Sequence, residues 1–318
     1  MLSAPSPNIM NKLARSVLAL YSYDESPEDR SLKNIYAQCI NLIAILPILA
    51  AYAYQAKRHN YNRESLYIHR PDSELCTAEN FLNLIRPDQT HTRLEAELLD
   101  LCLVIHAEHG GGNNSAFTTH VVSSSDTDTY SAISAAIGSL KGSRHGGANI
   151  KVIDMMKDIE ANVSDWANED EVCGYLEKIL KREAFDRSGL IYGLGHAVYT
   201  VSDPRAVLLK DRAEQLATEK GRMEEFALYD LIERKAPEVF KAVKNSSKLV
   251  APNVDFYSGI VYNMLDIPED LYTPIFAISR VAGWCAHRIE EQVHGGRIIR
   301  PAYRSVSTAN AYVPLEQR

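Results

Sequence analysis

Residues 92–149 read TRLEAELLDLCLVIHAEHGGGNNSAFTTHVVSSSDTDTYSAISAAIGSLKGSRHGGAN, and this stretch decides the fold class. Thr92-Arg93-Leu94-Glu95 has the form of a capping box, in which hydroxyl and carboxylate satisfy the N–H groups that a helix start leaves unpaired. It opens an apolar stretch, Leu98 to Ile105, which Gly110-Gly111-Gly112 is expected to stop. A second helix is expected after Asn113-Asn114, through Ala116 to Val122. A third follows Asp126-Thr127 and carries Ser131 to Ser139, whose small side chains suit either a close helix–helix or subunit contact or simple burial. Apolar residues recur at helical spacing and alternating strand patterns are nearly absent, so the expected fold is all-α.

Upstream, the most apolar run is Ile40 to Ala53. Asn41 and Pro47 interrupt it, and it falls short of the ~20 residues that a membrane span needs, so a kinked, buried helix is expected. Downstream, Asn149 is expected to cap a helix from Ile150 to Ile159, and Asn168 to Glu183 reads as a charged, solvent-facing amphipathic helix. Ser202-Asp203-Pro204 places a capping residue before a proline at the first helical position. Thr273-Pro274 repeats that device before a helix from Ile275 to Val293. The tail after Pro301 is expected to be irregular. The segment from Asn149 to Ala251 is more charged than its flanks and reads as a smaller domain inserted in a more apolar one.

The length of 318 residues accommodates one large or two modest domains. A net charge of −7 without a Lys/Arg block argues against a nucleic-acid partner, and an anionic ligand would need locally placed arginines. Cys39, Cys76, Cys102, Cys173 and Cys285 are scattered without C-x-x-C spacing, as expected of reduced thiols in a cytosolic protein. Met1-Leu2-Ser3-Ala4-Pro5 has neither the positive nor the apolar region of a signal peptide, so the expected location is cytoplasmic.

Three residues in glycine- or proline-marked turns carry the most chemical information: His145, His196 and Asp255. A carboxylate base with two imidazole donors can pull a proton from carbon beside a carbonyl and stabilise the resulting oxyanion. Each also has a plainer explanation. His145 can be a structural turn histidine, although the glycines after it permit close backbone approach and the nearby helix start disfavours an imidazolium. His196 ends Gly193-Leu194-Gly195-His196, only weakly a phosphate loop since no strand precedes it. Asp255 can be a simple helix cap. Arg205, nine residues after His196, can hold a carboxylate bidentately or lie on the surface. Arg280 sits inside an apolar helix, where its charge must meet a glutamate or an anion. His106 and His109 stand at H-x-x-H spacing with no obvious third ligand; they can be helix-end histidines, an anion site or metal ligands, and no metal is expected.

Taken together these segments resemble citrate synthases, in motifs that keep the same order from about Asn8 to Pro301. They are His-Ala-Glu-His-Gly-Gly-Gly-Asn-Asn-Ser (106–115), Lys-Gly-Ser-Arg-His-Gly-Gly-Ala-Asn (141–149), Gly-Leu-Gly-His-Ala-Val-Tyr (193–199) with Asp-Pro-Arg (203–205), Pro-Asn-Val-Asp-Phe-Tyr-Ser-Gly (252–259), Phe-Ala-Ile-Ser-Arg (276–280) and Ile-Arg-Pro (299–301). The style is similar to that of bacterial citrate and 2-methylcitrate synthases. The resemblance implies condensation of acetyl-CoA with oxaloacetate, then hydrolysis of the citryl thioester, with no cofactor beyond the acetyl-CoA substrate. It implies Asp255 as the base, His145 as donor to the thioester oxygen and His196 as donor to the oxaloacetate carbonyl. His109, Arg205 and Arg280 would hold the oxaloacetate carboxylates, Phe276 would line the citrate pocket, and Arg300 would come from the partner subunit of a homodimer. Gly193, Leu194, Gly195 and Lys248 would lie near CoA. The implied architecture is a large helical domain (1–148 and 263–318) with an inserted small helical domain (149–262) that closes over oxaloacetate.

Two departures from the family pattern bear on these expectations. Family members carry a further N-terminal stretch ahead of the region matching Asn8, so part of the large domain is expected to be missing. Thr200 stands where many members have a basic residue that assists the CoA phosphates. The alternatives are 2-methylcitrate synthesis from propionyl-CoA, a truncated non-catalytic homologue, and a metallohydrolase using His106 and His109.

Overall fold

The computed structural model describes residues 4–195, 202–245, 250–307 and 311–318. Among these residues the chain forms twelve α-helices and no strand, the one β feature being an isolated bridge between Leu194 and Pro252. The first six helices are α1 (Ile9–Leu20), α2 (Leu32–Tyr61), α3 (Thr77–Ile85), α4 (Arg93–His106), α5 (Asn114–Ser123) and α6 (Thr129–Leu140). They pack around α12 (Tyr272–His294), which touches α1, α2, α4, α5 and α6. Apolar residues line most of α12, from Tyr272 through Trp284 and Cys285, as expected of a helix covered on most sides. The other helices are α7 (Ala148–Asn162), α8 (Glu169–Leu180), α9 (Pro204–Lys220), α10 (Met223–Lys244) and α11 (Val254–Met264). In that group α11 packs on α7 and α9, α10 packs on α8 and α9, and α4 meets both α9 and α11.

The capping signals at Thr92, Asn168 and Asp203 act where the sequence places them. Others act elsewhere. Helix α4 ends at His106, ahead of the three glycines, because Ser279 Oγ and Arg280 Nε on α12 donate to the carbonyls of Leu103 and His106 in its last turn. Asp128 caps α6, its Oδ1 accepting from the Ser131 N–H at 2.8 Å. Gly147 occupies the cap of α7, and Asn149 lies buried inside the first turn. Helix α12 begins at Tyr272, and Thr273 Oγ1 donates to the Gly146 carbonyl at 3.0 Å instead of capping.

The apolar run around Pro47 is longer than expected. Helix α2 spans 30 residues from its Ser31 cap, with Pro47 inside it. By length and a mean hydropathy of 1.8 in its most apolar stretch it is long enough to cross a membrane, so length excludes nothing. In the fold it buries Ile35, Cys39, Leu42, Leu46 and Ala50, and it packs against α1, α3 and α12.

Glu95 joins the two groups of helices. It is 2% exposed, and its carboxylate accepts from Arg86 at 2.7 and 3.3 Å, from Lys220 at the end of α9 at 2.5 Å and from the Thr92 N–H at 2.9 Å. Arg86 also donates to the Leu265 carbonyl just after α11, at 2.7 Å. Burial alone would raise the Glu95 carboxyl, but the hydrogen bonds from Arg86, Lys220 and Thr92 outweigh it and hold the group at about 2. A depressed carboxyl stabilises the fold above its ordinary value near 4.5, and that contribution is lost as pH falls from there toward 2. Glu95→Gln is therefore expected to cost about 1–3 kcal/mol at pH 7, by leaving the partly buried Arg86 and Lys220 without their anion. In chemical denaturation the gap to the parent protein should narrow steadily below about pH 4.5.

Candidate active site

Helix α11 starts on a short paired segment. The Gly195 N–H donates to the Ala251 carbonyl at 2.7 Å, and the Asn253 N–H donates to the Gly193 carbonyl at 2.9 Å. Asn253 caps α11: its Oδ1 accepts from the Asp255 N–H at 3.0 Å while its Nδ2 donates to the Gly195 carbonyl at 2.9 Å. The glycine loop thus positions the first turn of α11 and Asp255 with it. Gly193 has φ +80°, and a Cβ there would sit 2.8 Å from the Phe256 ring. That ring is itself packed edge-on against Tyr229 and Tyr257, so it cannot give way.

Asp203 ties the same turn to a cation. Its side chain is fully buried. It accepts from Arg205 Nε at 3.0 Å, Arg205 Nη2 at 2.8 Å and the Val254 N–H at 3.1 Å. One carboxylate thus caps α9, clasps a guanidinium and holds the residue before Asp255. The sequence marks Asp203 only as a cap; the Asp-Pro-Arg triplet was the available signal for its second role.

Asp255 is half-buried and burial pushes its carboxyl up to about 6, with Asp203 adding to the rise and Arg205 and Arg280 opposing it. Arg280 is 1% exposed on α12. Its Nε donates to the His106 carbonyl at 2.7 Å and its guanidinium stacks 4.7 Å from the centre of the Phe276 ring. Burial lowers it to about 10, which still leaves it a full cation at neutral pH.

His145 lies in the turn before α7, its N–H donating to the Gly142 carbonyl at 2.9 Å. The Ser115 backbone N–H donates to its Nε2 at 3.2 Å, and Ser115 Oγ lies 2.8 Å from the same atom. Trp284 Nε1 orients that hydroxyl from 3.1 Å. Because a backbone N–H can only donate, Nε2 is the acceptor and the proton of the neutral ring sits on Nδ1. Burial, then Arg280, lowers the His145 pKa, so the ring is neutral at pH 7. Nothing in the local sequence around Ser115 or Trp284 marks them as partners of this ring.

Phe276 gathers the set, its ring edge-on to His145 at 6.4 Å and to His106 at 5.1 Å. His106 is buried and bonded through Nδ1 to the Cys102 carbonyl at 2.8 Å, and burial lowers it to about 4. That is a satisfied helix-end histidine, and neither it nor His109 belongs to a metal-ligating cluster among the described residues. His109 is half-buried in the loop after α4, its N–H on Glu108 Oε1 at 2.7 Å. The structure therefore brings together His145, Asp255, Arg205, Arg280 and Phe276, with Gly193, Leu194 and Gly195 underlying α11. Arg300 is exposed on the irregular segment after α12, and no hydrogen bond or ion pair joins it to the other candidates among the described residues. His196 and Lys248 lie outside the described residues.

The chain matches the family model described as citrate synthase, C-terminal domain, over residues 1–302. It is 38% identical to the citrate synthase of Synechocystis sp. across 90% of this chain and 66% of that protein. It is likewise 38% identical to the citrate synthase of Haloferax volcanii across 97% of this chain and 75% of that one. Its structure superposes with TM-score 0.79, at 25% identity, on the Thermoplasma acidophilum citrate synthase in ternary complex with carboxymethyl coenzyme A and oxaloacetate, covering 100% of this chain and 78% of that one.

Two measurements probe the local architecture. Asp255→Asn removes a carboxyl that is raised in the fold, hence one that burdens the folded state increasingly as pH rises from about 4 through 6. Its melting temperature should exceed that of the parent at pH 8 and converge on it only below about pH 4. Gly193→Ala should lower the melting temperature at every pH, by the equivalent of about 1–3 kcal/mol, from positive φ combined with the Phe256 clash.

Proposed function

The chain belongs to the citrate synthase family of acyltransferases, and from that membership we propose that it condenses acetyl-CoA with oxaloacetate and water to give citrate and CoA. The observation that carries the proposal is the pairing of a raised Asp255 carboxyl with a neutral His145 whose proton is fixed on Nδ1. Asp255 takes a proton from the acetyl methyl group, and His145 Nδ1–H stabilises the enolate oxygen as charge develops on it. A neutral donor suits this role because it binds the oxyanion without first surrendering its proton. His196 polarises the oxaloacetate ketone and delivers a proton to the new alkoxide. Water then cleaves the citryl thioester, releasing CoA.

Arg280, Arg205 and His109 hold the oxaloacetate carboxylates, and Phe276 lines the pocket between them. Support for Arg280 comes from its burial with only its Nε on a protein acceptor among the described residues, a charge that a bound carboxylate offsets. Gly193, Leu194, Gly195 and Lys248 contact CoA. Residues 149–262 form a small domain that closes over oxaloacetate and excludes water. The exposure of Arg300 supports its delivery to the site of a second subunit in a homodimer. The reaction needs no resident cofactor, and the setting is the tricarboxylic acid cycle in the cytoplasm.

The direct test is CoA release monitored with a thiol reagent. The protein should turn over acetyl-CoA with oxaloacetate, and Asp255→Asn should reduce kcat by ~10²–10⁴-fold with the fold retained. For the parent protein kcat/KM should rise with pH through an apparent pKa near 6, as Asp255 ionises, and level off above it. A rate higher on propionyl-CoA than on acetyl-CoA would reassign the reaction to 2-methylcitrate synthesis. Oxaloacetate binding without release of CoA from either thioester would mark a non-catalytic member.

A further inference from the structure

A second histidine cluster borders the loop that carries His109, against Glu108 and Gly111. His120 on α5 and His287 on α12 face each other, His120 Nε2 lying 3.1 Å from His287 Nδ1. Glu290 Oε2, one turn beyond His287, is 2.9 Å from His287 Nδ1 and 3.7 Å from His120 Nε2. The point equidistant from these three atoms in their plane is about 1.9 Å from each, and a small step off the plane reaches the ~2.0–2.1 Å of zinc–nitrogen and zinc–carboxylate bonds.

The outer nitrogens of both rings face carboxylates. His120 Nδ1 is 2.8 Å from Glu291 Oε2, and His287 Nε2 is 3.0 Å from Glu108 Oε2. For His120 that is the carboxylate–histidine–metal pattern, which places the ring proton outward and the Nε2 lone pair on the ion, while buried His287 Nε2 has the Glu108 carboxylate beside it without an aligned hydrogen bond. Without a metal the proton count is awkward. A neutral His120 donates its Nδ1–H to Glu291, which leaves its Nε2 as an acceptor. A neutral His287 has one proton for two sides: Glu108 faces one nitrogen, Glu290 and the His120 lone pair face the other. A cation between the two rings and Glu290 satisfies all three inward-facing atoms at once, and the carboxylates Glu108, Glu290 and Glu291 surround the pair. Gly111 leaves room as well: a Cβ there would press to 3.3 Å from His120 Nε2. The side chain of Glu290 is 50% exposed, which gives an ion an entry path and room for water as a fourth ligand.

We propose that His120 Nε2, His287 Nδ1 and Glu290 Oε2 bind one divalent transition-metal ion of the zinc class, with Glu291 and Glu108 orienting the two rings. The site is structural and lies apart from the carbon chemistry. It was hidden from the sequence because α5 and α12 supply its ligands from segments 167 residues apart. Its consequence runs through Glu108, the neighbour of His109: an ion that fixes His287 also fixes the carboxylate anchoring that loop to α12.

The test uses the full chain, stripped with chelator and titrated with Co²⁺. One equivalent per chain should bind with the intense visible absorption of a tetrahedral ion, and Zn²⁺ should displace it. Glu290→Gln changes a partly exposed side chain, so its metal-free melting temperature should match the parent, while Co²⁺ affinity drops at least tenfold. Glu291→Gln should weaken Co²⁺ by ~10–100-fold through the ring orientation it removes. Zn²⁺ should raise the melting temperature of the parent and leave that of Glu290→Gln unchanged. No stoichiometric Co²⁺ uptake, or uptake that survives in the His120→Asn/Glu290→Gln double variant, would overturn the proposal.

Discussion

Burial of the Arg280 guanidinium in the helical core is the constraint on which the site depends. A charge at that depth needs compensation, and among the described residues it comes from the His106 carbonyl on Nε, the Phe276 ring over one face and the more distant charges of Glu108 and Asp255. The arrangement dictates much around it. Helix α4 must end where its last carbonyls can meet α12, so the loop carrying His109 starts there. The same charge helps keep His145 neutral and works against the rise of the Asp255 carboxyl. Burial dominates both shifts, and the positive centre built into α12 adds to that of the donor and offsets part of that of the base.

The fold treats its buried charges in two ways. Glu95 and Asp203 have their acceptor capacity filled by arginine, lysine and backbone N–H groups, and each joins elements distant in sequence. These are the fixed joints of the scaffold. Asp255 and Arg280 are left with less. Asp255 is half-buried and, among the described residues, the cap engages its backbone N–H, so its carboxyl remains basic enough to take a proton near neutral pH. The difference between a joint and a reactive group here is the number of partners within reach.

The helices were readable because local signals specify them. The Thr92–Glu95 capping box, the Asn168 cap and the Asp203-Pro204 start all act as written, and helical periodicity without strand alternation gave the fold class. Errors came where tertiary contacts override local chemistry. Thr273 looks like a cap but bonds across the fold to Gly146, and Asn149 looks like a cap but is buried one position inside α7. The extent of α2 beyond its apolar run was missed because its flanking turns are amphipathic. In the site, the histidines, Asp255 and the arginines announce themselves through turn context and charge in apolar surroundings. Ser115 and Trp284 do not, since nothing local says that a serine N–H on α5 and an indole on α12 meet at one imidazole. The cluster at His120 and His287 was invisible for the same reason.

The account rests on Arg280 being a cation that awaits a carboxylate, and ligand-induced thermal stabilisation tests this most directly. Melting temperatures would be measured with and without saturating oxaloacetate for the parent protein and for Arg280→Met, with circular dichroism confirming that the variant is folded. The parent should melt several degrees higher with oxaloacetate, and Arg280→Met should show no shift. An equal shift in both proteins would contradict the account, because the ligand carboxylates would then be held without the buried guanidinium.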